Sequence, residues 1–434
     1  MNPTVGALCK TGRWDINMGR GYLRSIRGVY RVLSLFLLLG ASLSATAQAP
    51  QAPDGRLAIG QVDSLYSDVL QEHRKLWVHL PTGMSQGERY PVIYLFDPTA
   101  HFHITTGILS LLTQWDVPPS IVVGIDTSDD RIGDLTPTHV PFNRGHDSET
   151  SGGAPDLARF IQTELQPYID GRYPTEDIRT IIGHSTGGLF VIYAFVRHPE
   201  LFDNYLAIEP SLWWDREALV SESEEILGDG DRLDRSLYVA VANSTGIDTL
   251  TVRRDTTVDT EQLRANLRFH DLLVRHADRL QFQWDYFGTE DHSSVVVPGL
   301  YDGLRSLFSW YPFPERWRFN TPDQYTADEL TGPFYAHFAD LSRRMKREVR
   351  PHWQFLNDVG FFMLTGHGAP DKALAYLELN LHYYPNLSET HVALGNFHSA
   401  RGQREEAIRY FERAVELDGN SEAQDSLRAL IGVD

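Results

Sequence analysis

The sequence predicts an α/β fold, a doubly wound and mainly parallel sheet, followed by a small all-helical repeat module. Three observations carry that expectation. Apolar runs of strand length alternate with stretches of helical spacing between residues 76 and 310. A serine between glycines stands at a strand-to-helix junction near the middle of the chain. Beyond residue 350 a 34-residue period sets in.

The strands come first. Leu76 to Leu80, Val92 to Phe96, Ile121 to Ile125, Arg179 to Ile182, Tyr205 to Ile208, Leu237 to Ala242 and Leu280 to Tyr286 are short and apolar almost throughout. Between them, Pro155 to Ile169, Gly188 to Arg197, Glu261 to His276 and Pro298 to Trp310 have helical spacing. Strands that do not alternate apolar with polar are covered on both faces, which is the mark of a parallel sheet between helical layers. One domain over 55–313 accounts for all of them.

Residues 314–350 read as a linker with some helix, and 351–434 as helical repeats. In the second copy Leu394, Gly395, Ala407, Phe411 and Ala414 occupy positions where a tetratricopeptide-like repeat needs small or bulky packing residues. Counting back 34 gives Gly360, Phe361, Ala373, Leu377 and Asn380, among which Phe361 and Asn380 fit poorly. Residues 422–430 serve as a capping helix. Two repeats form a small groove, so the module is expected to dock on the first domain, with the mouth of its site as one location.

Residues 1–49 carry the marks of a secretory signal, with Met18 as an alternative start. Arg20, Arg24, Arg27 and Arg31 form a basic region, Val32 to Ala41 an apolar one, and Ala47-Gln48-Ala49 a small-x-small cleavage pattern. A Pro/Ala/Gln tether, Pro50 to Asp54, follows. The protein is therefore expected in the periplasm or secreted, with no membrane span once the signal is removed. The single cysteine, Cys9, falls in the removed part, which excludes disulfides and thiol catalysis from the exported form. Losing six basic residues and one acid moves the formal charge from -19 to -24. Such a surface repels phosphate backbones, so nucleic acid is not an expected partner.

The chemistry centres on Gly183-His184-Ser185-Thr186-Gly187-Gly188, with a strand before it and a helix after it. A strand, a sharp turn and a helix project the serine hydroxyl above the sheet edge, the nucleophile elbow of α/β-hydrolases. A serine hydroxyl is a weak nucleophile and needs a base in contact. In this fold the histidine follows the last strand, and His292 stands there, after the loop Phe287 to Asp291. The acid belongs beyond a strand between the two. Asp248, after Leu237 to Ala242, is the first candidate; Glu209, after Tyr205 to Ile208, is the alternative. The oxyanion hole calls for the backbone N–H of Thr186 and one from the loop Asp97 to Phe102. Pro98 has no N–H, which leaves Thr99. No metal-ligand spacing, Walker loop or dinucleotide fingerprint is present, so no cofactor or metal is expected. His101 and His103 are read as ordinary polar side chains.

With these residues in place, the chain resembles the Putative esterase family of α/β-hydrolases, which includes enterochelin esterases, feruloyl esterases and esterase D. The resemblance covers roughly residues 56–312. It rests on Tyr90 to Asp97, Arg131 to Pro137, Ser151 to Gly153, Gly183 to Gly188, Pro210-Ser211-Leu212-Trp213-Trp214 and Glu290-Asp291-His292. The Pro210 to Trp214 segment and the elbow are most similar to the siderophore-esterase branch, some members of which carry C-terminal tetratricopeptide repeats. The resemblance implies carboxylic-ester hydrolysis through Ser185 and His292, on a small-molecule ester. It also implies a glycine where this chain has Pro98, and a triad acid that varies, some members working with a Ser–His pair alone. Two rival readings share the sequence: an acyltransferase with the same triad, and an inert binding module that recruits a protein partner through the repeats. Trp213 and Trp214 are read as pocket lining or as core.

Overall fold

Seven of the apolar runs are strands, joined by one the pattern did not mark. Residues 58–434 are described by the structure, a computed structural model, except 83, 85–87, 114–115, 144–145, 230–231 and 433–434. The expected signal region, Cys9, Met18 and the 50–54 tether lie outside the described residues. The strands are β1 (Gln61–Ser67), β2 (Glu72–His79), β3 (Tyr90–Phe96), β4 (Ile121–Ile125), β5 (Thr175–His184), β6 (Asn204–Ile208), β7 (Arg232–Ala242) and β8 (Leu280–Phe287). They form one sheet in the order β1-β2-β4-β3-β5-β6-β7-β8. Strand β2 runs antiparallel to β1 and β4, and every pairing from β4 through to β8 is parallel. The strand missed by sequence is β1. It is a polar edge strand with one buried residue, Ser67, so no apolar run announces it.

Alternate residues of each central strand enter opposite layers, as the pleat requires. Val92, Tyr94 and Phe96 join one core with Ile181, Tyr205 and Val239, while Ile93 and Leu95 join the other with Ile182, Leu206 and Tyr238. The helices of this part are α1 (Pro98–Leu112), α2 (Arg131–Leu135), α3 (Ala154–Phe160), α4 (Gln166–Arg172), α5 (Thr186–Arg197), α6 (Trp214–Asp229), α7 (Thr249–Val252), α8 (Glu261–Arg275) and α9 (Val296–Leu307). A π-helical turn, Ile161–Leu165, joins α3 to α4. The stretch 97–102, expected to be loop, is the start of α1. Pro98 is the reason, since its fixed φ and missing N–H suit the first helical position.

Beyond residue 313 the chain makes two short 3₁₀ turns and then α10 (Ala327–Arg344), opened by a Thr326/Glu329 capping box. The helices α11 (Trp353–Thr365), α12 (Pro370–Tyr383), α13 (Ser388–Ala400), α14 (Arg404–Asp418) and α15 (Ser421–Ile431) follow. The 34-residue period holds for α12 and α14: Leu377 meets Gly360 as Phe411 meets Gly395. The first helix of each pair is offset by 35, because the turn before α12 has four residues (366–369) and the turn before α14 has three (401–403). Gly360 is therefore the partner position of Gly395. Phe361, which looked like a poor fit, is an exposed residue one step further on.

The segment read as a linker, 314–350, packs at the amino ends of the parallel strands, away from the mouth that sequence suggested for the repeats. Leu341, Met345 and Val349 cluster with Ile178, Trp310 and Tyr311. Arg316 pairs with Asp116 at 3.1 Å, and His337 Nε2 donates to the Tyr311 carbonyl at 2.9 Å. Arg347 pairs with Glu176 of β5 at 2.5 Å. Burial pushes the Glu176 carboxyl up to about 7, against the lowering pull of Arg347. A carboxyl raised in the folded state adds stability that is complete below its ordinary value of 4.5 and lost as pH rises through 7. Arg347→Ala removes the lowering pull, so the melting temperature is expected to drop more at pH 8 than at pH 5. Equal drops at both pH values, in thermal melts of the full chain, would refute the pairing.

Candidate active site

The site begins with the backbone of Ser185. Its φ of 59° and ψ of -116° lie where side chains are rarely held, at the junction of β5 and α5. A Cβ on Gly183 would stand 2.2 Å from the Gly187 carbonyl oxygen, so the chain can double back here only on glycine. Two bonds to the neighbouring strand and its exit loop hold the turn: Ser185 N–H donates to Ile208 O, and Ser211 N–H donates to Ser185 O, both at 3.0 Å.

His292 follows β8, three strands away from β5 in the sheet. The gap is about 14 Å at ordinary strand spacing. The loop after Phe287 crosses it and puts His292 Nε2 3.1 Å from Ser185 Oγ. The hydroxyl donates and the ring nitrogen accepts, the arrangement a general base needs. Burial, reinforced by the charge of Arg131, holds the His292 imidazole below the ordinary histidine range. It is therefore the neutral, accepting form that dominates near pH 7.

The two candidate acids lie in different settings. Asp248 is exposed and caps α7, its carboxylate accepting from Thr251 N–H at 3.0 Å and from Thr251 Oγ1 at 2.6 Å. Those bonds lower its pKa. Glu209 is fully buried at the end of β6, with Oε2 accepting from Ala242 N–H at 2.6 Å and Oε1 without a partner. Burial pushes its carboxyl up to about 7. Among the described residues no ion pair joins either of them, or any other carboxylate, to the His292 ring.

Thr186 and Thr99 lie in the first turns of α5 and α1, at the carboxyl ends of the paired strands β5 and β3. First-turn N–H groups have no acceptor within their own helix, and both turns carry the positive end of a helix dipole. Thr99 belongs to a helix here, not to the loop read from sequence. Pro98 is buried, and Gly124 of β4 makes room for it, since a Cβ there would lie 2.6 Å from Pro98 Cβ.

Sequence reasoning gave no role to four further residues. Ser211 Oγ lies 3.3 Å from Ser185 Oγ. With Ser185 donating to His292, Ser211 is the donor in that pair. Asp97, at φ 53°, takes a two-pronged bond from Arg131, 2.8 Å on each side, and Arg131 Nη2 also donates to the His184 carbonyl at 3.0 Å. His184 Nε2 lies 2.7 Å from the His292 carbonyl oxygen. All four sit in segments that carried the family resemblance, which was the available signal. Trp214 is buried and donates to Thr138, and half-buried Trp213 packs on the same core. His101 and His103 are on α1, and no group of three or more metal-ligating side chains occurs among the described residues.

The siderophore enterobactin esterase of Emericella nidulans is 27% identical over 259 residues, 52% of this chain and 84% of that protein. The ferri-bacillibactin esterase BesA of Bacillus subtilis is 32% identical over 168 residues, 35% of this chain and 58% of that protein. Among solved structures, an IroE-like serine hydrolase from Shewanella oneidensis superposes with a TM-score of 0.60 at 29% identity, covering 75% of this chain and 99% of the other. Residues 67–312, more than half of the chain, match the family described as Putative esterase, and the protein belongs to that family.

Proposed function

We propose that the protein hydrolyses carboxylic esters by acyl transfer through Ser185, with siderophore esters as its substrate class. The observation that carries this reading is the 3.1 Å contact between His292 Nε2 and Ser185 Oγ at a strained elbow. The siderophore esterases among the relatives support the choice of substrate class.

In the first step His292 takes the Ser185 proton as Oγ attacks the ester carbonyl carbon. The carbonyl oxygen becomes an oxyanion, held by the N–H groups of Thr186 and Thr99. The C–O bond to the alcohol then breaks, His292 gives its proton to the departing oxygen, and an acyl-Ser185 remains. Water, deprotonated by His292, attacks that acyl group; the tetrahedral species collapses, the proton returns to Ser185 and the carboxylic acid leaves. The base works without a direct carboxylate contact, since Asp248 is committed to Thr251 and Glu209 to Ala242.

The C-terminal helix pairs are read as tetratricopeptide-like repeats, supported by the equivalent Gly360/Leu377 and Gly395/Phe411 crossings. They offer a surface for a protein partner. The basic-apolar-small pattern of residues 20–49 supports export to the periplasm or beyond. No helix among the described residues is long and apolar enough to cross a membrane.

Ser185→Ala is expected to lose on the order of 10⁶-fold in kcat on p-nitrophenyl acetate and on a trilactone siderophore, with an unchanged melting curve. Ordinary turnover by that variant would refute the assignment. The rate rises with pH as His292 loses its proton, and its pKa is lowered. The acid limb of kcat/KM is therefore expected to bend below pH 6.5, the ordinary histidine value. A bend above that value would contradict the buried, neutral imidazole. Asp248→Asn separates the Ser–His pair from a triad. A triad acid costs on the order of 10⁴-fold in kcat when amidated; here the loss is expected to stay below tenfold.

A further inference from the structure

An imidazole that serves as general base must be held over its nucleophile, and in a triad a carboxylate on Nδ1 does this. Here the base sits in a loop whose other bonds past Phe287 are local among the described residues. Asp291 N–H goes to Ser294 Oγ, the N–H groups of Ser293 and Ser294 go to Asp291 Oδ1, and Val295 N–H goes to Asp291 O. These bonds shape the loop without tying it to the elbow. The bond that crosses to the elbow, besides the Ser185–His292 contact itself, runs from His184 Nε2 to the His292 carbonyl at 2.7 Å.

We propose that His184 is a positioning residue: its Nε2–H anchors the main chain of His292 and fixes the imidazole over Ser185 Oγ, the task a triad carboxylate would otherwise perform. A carbonyl can only accept, so the His184 tautomer is settled with the proton on Nε2. The ring is held between two others, 4.7 Å centre to centre from His292 and 5.3 Å from His101, the latter edge-on. Burial pushes the His184 imidazole down to about 4, and the neighbouring His292 adds to the shift. It therefore stays a neutral donor across the range in which His292 works, and puts no second positive charge beside the base.

The anchor is rigid at its own end. His184 is the last residue of β5, in register with Ile208 of β6. Its carbonyl is held by Arg131, which Asp97 grips with both carboxylate oxygens. The chain Asp97–Arg131–His184–His292 thus joins the start of the oxyanion helix, the elbow and the base loop. Each link spans segments far apart in sequence.

This inference rests on the Ser185 hydrolase reading, and the test distinguishes the two. His184→Phe keeps a flat ring and removes the donor, while His184→Gln keeps an N–H at a similar reach. On p-nitrophenyl acetate, His184→Phe is expected to lose about a hundredfold in kcat, the usual cost of displacing a catalytic group by ~1 Å, with KM within threefold. His184→Gln is expected to recover at least tenfold of that loss, with both variants melting near the parent. Equal losses in the two variants, or a loss confined to KM, would overturn the positioning role. So would an unchanged kcat in His184→Phe. If Ser185→Ala, run beside them, keeps parental turnover, the hydrolase reading itself fails.

Discussion

Everything at this site depends on one short piece of backbone, the left-handed turn at Ser185. Holding a non-glycine residue in such a conformation costs about 1–3 kcal/mol, which surrounding structure must offset. The offset is visible. The strand before Ser185 is hydrogen-bonded on both sides, to β3 and β6, and the helix after it is buried along nearly its whole length. Two further bonds clamp the turn itself, from Ser185 to Ile208 and from Ser211 to Ser185. A hydroxyl pushed up by that turn has little freedom. It meets the His292 ring on one side and the Ser211 hydroxyl on the other.

The electrostatics of the site follow from burial more than from charge. His101, His184 and His292 all have their imidazoles pushed down by desolvation, the first cause in each case. Three neutral rings side by side cost little, whereas three imidazolium ions would repel one another strongly in a partly dry setting. The one strong ion pair close by, Arg131 with Asp97, is two-pronged and half-buried. Its job is geometric as well: it fixes the turn that leads into α1 and the carbonyl just before Ser185. Buried pairs of this kind gain specificity of shape more readily than net stability.

The central sheet and the sharp turn at Ser185 were legible in the sequence because their signals are local. An apolar run such as Ile121 to Ile125 is a buried strand wherever it falls, and Gly183 to Gly188 marks its own turn. The Ser185–His292 contact was legible by chain order alone. What was not legible is what depends on three dimensions. That Asp248 spends its carboxylate on Thr251 and Glu209 is buried against Ala242 N–H follows from turn geometry and strand ends, to which residue spacing is blind. His184 looked like the variable letter of a motif because its partner is 108 positions away. The one-residue offset between the first helices of the two repeats was hidden for a simpler reason. A longer turn changes the count without changing the residues that pack.

The place of the helical module argues about what it can do. Glu176, which Arg347 grips, stands near the start of β5, and Ser185 follows the end of the same strand. Nine residue steps of extended chain separate them, about 30 Å. The stretch 316–349 that is seated there therefore lies far from the Ser185 hydroxyl. Nor is β5 built as a lever, because its second half, Thr180 to His184, is paired with β6 and mostly buried, and coupling over distance needs a second arrangement to move into. What the module does supply is cover. Ile178, Trp310 and Tyr311 pack under Leu341, Met345 and Val349, which covers an apolar patch beside the start of β5. Its contribution is therefore to the stability of β5, the strand that leads into Ser185.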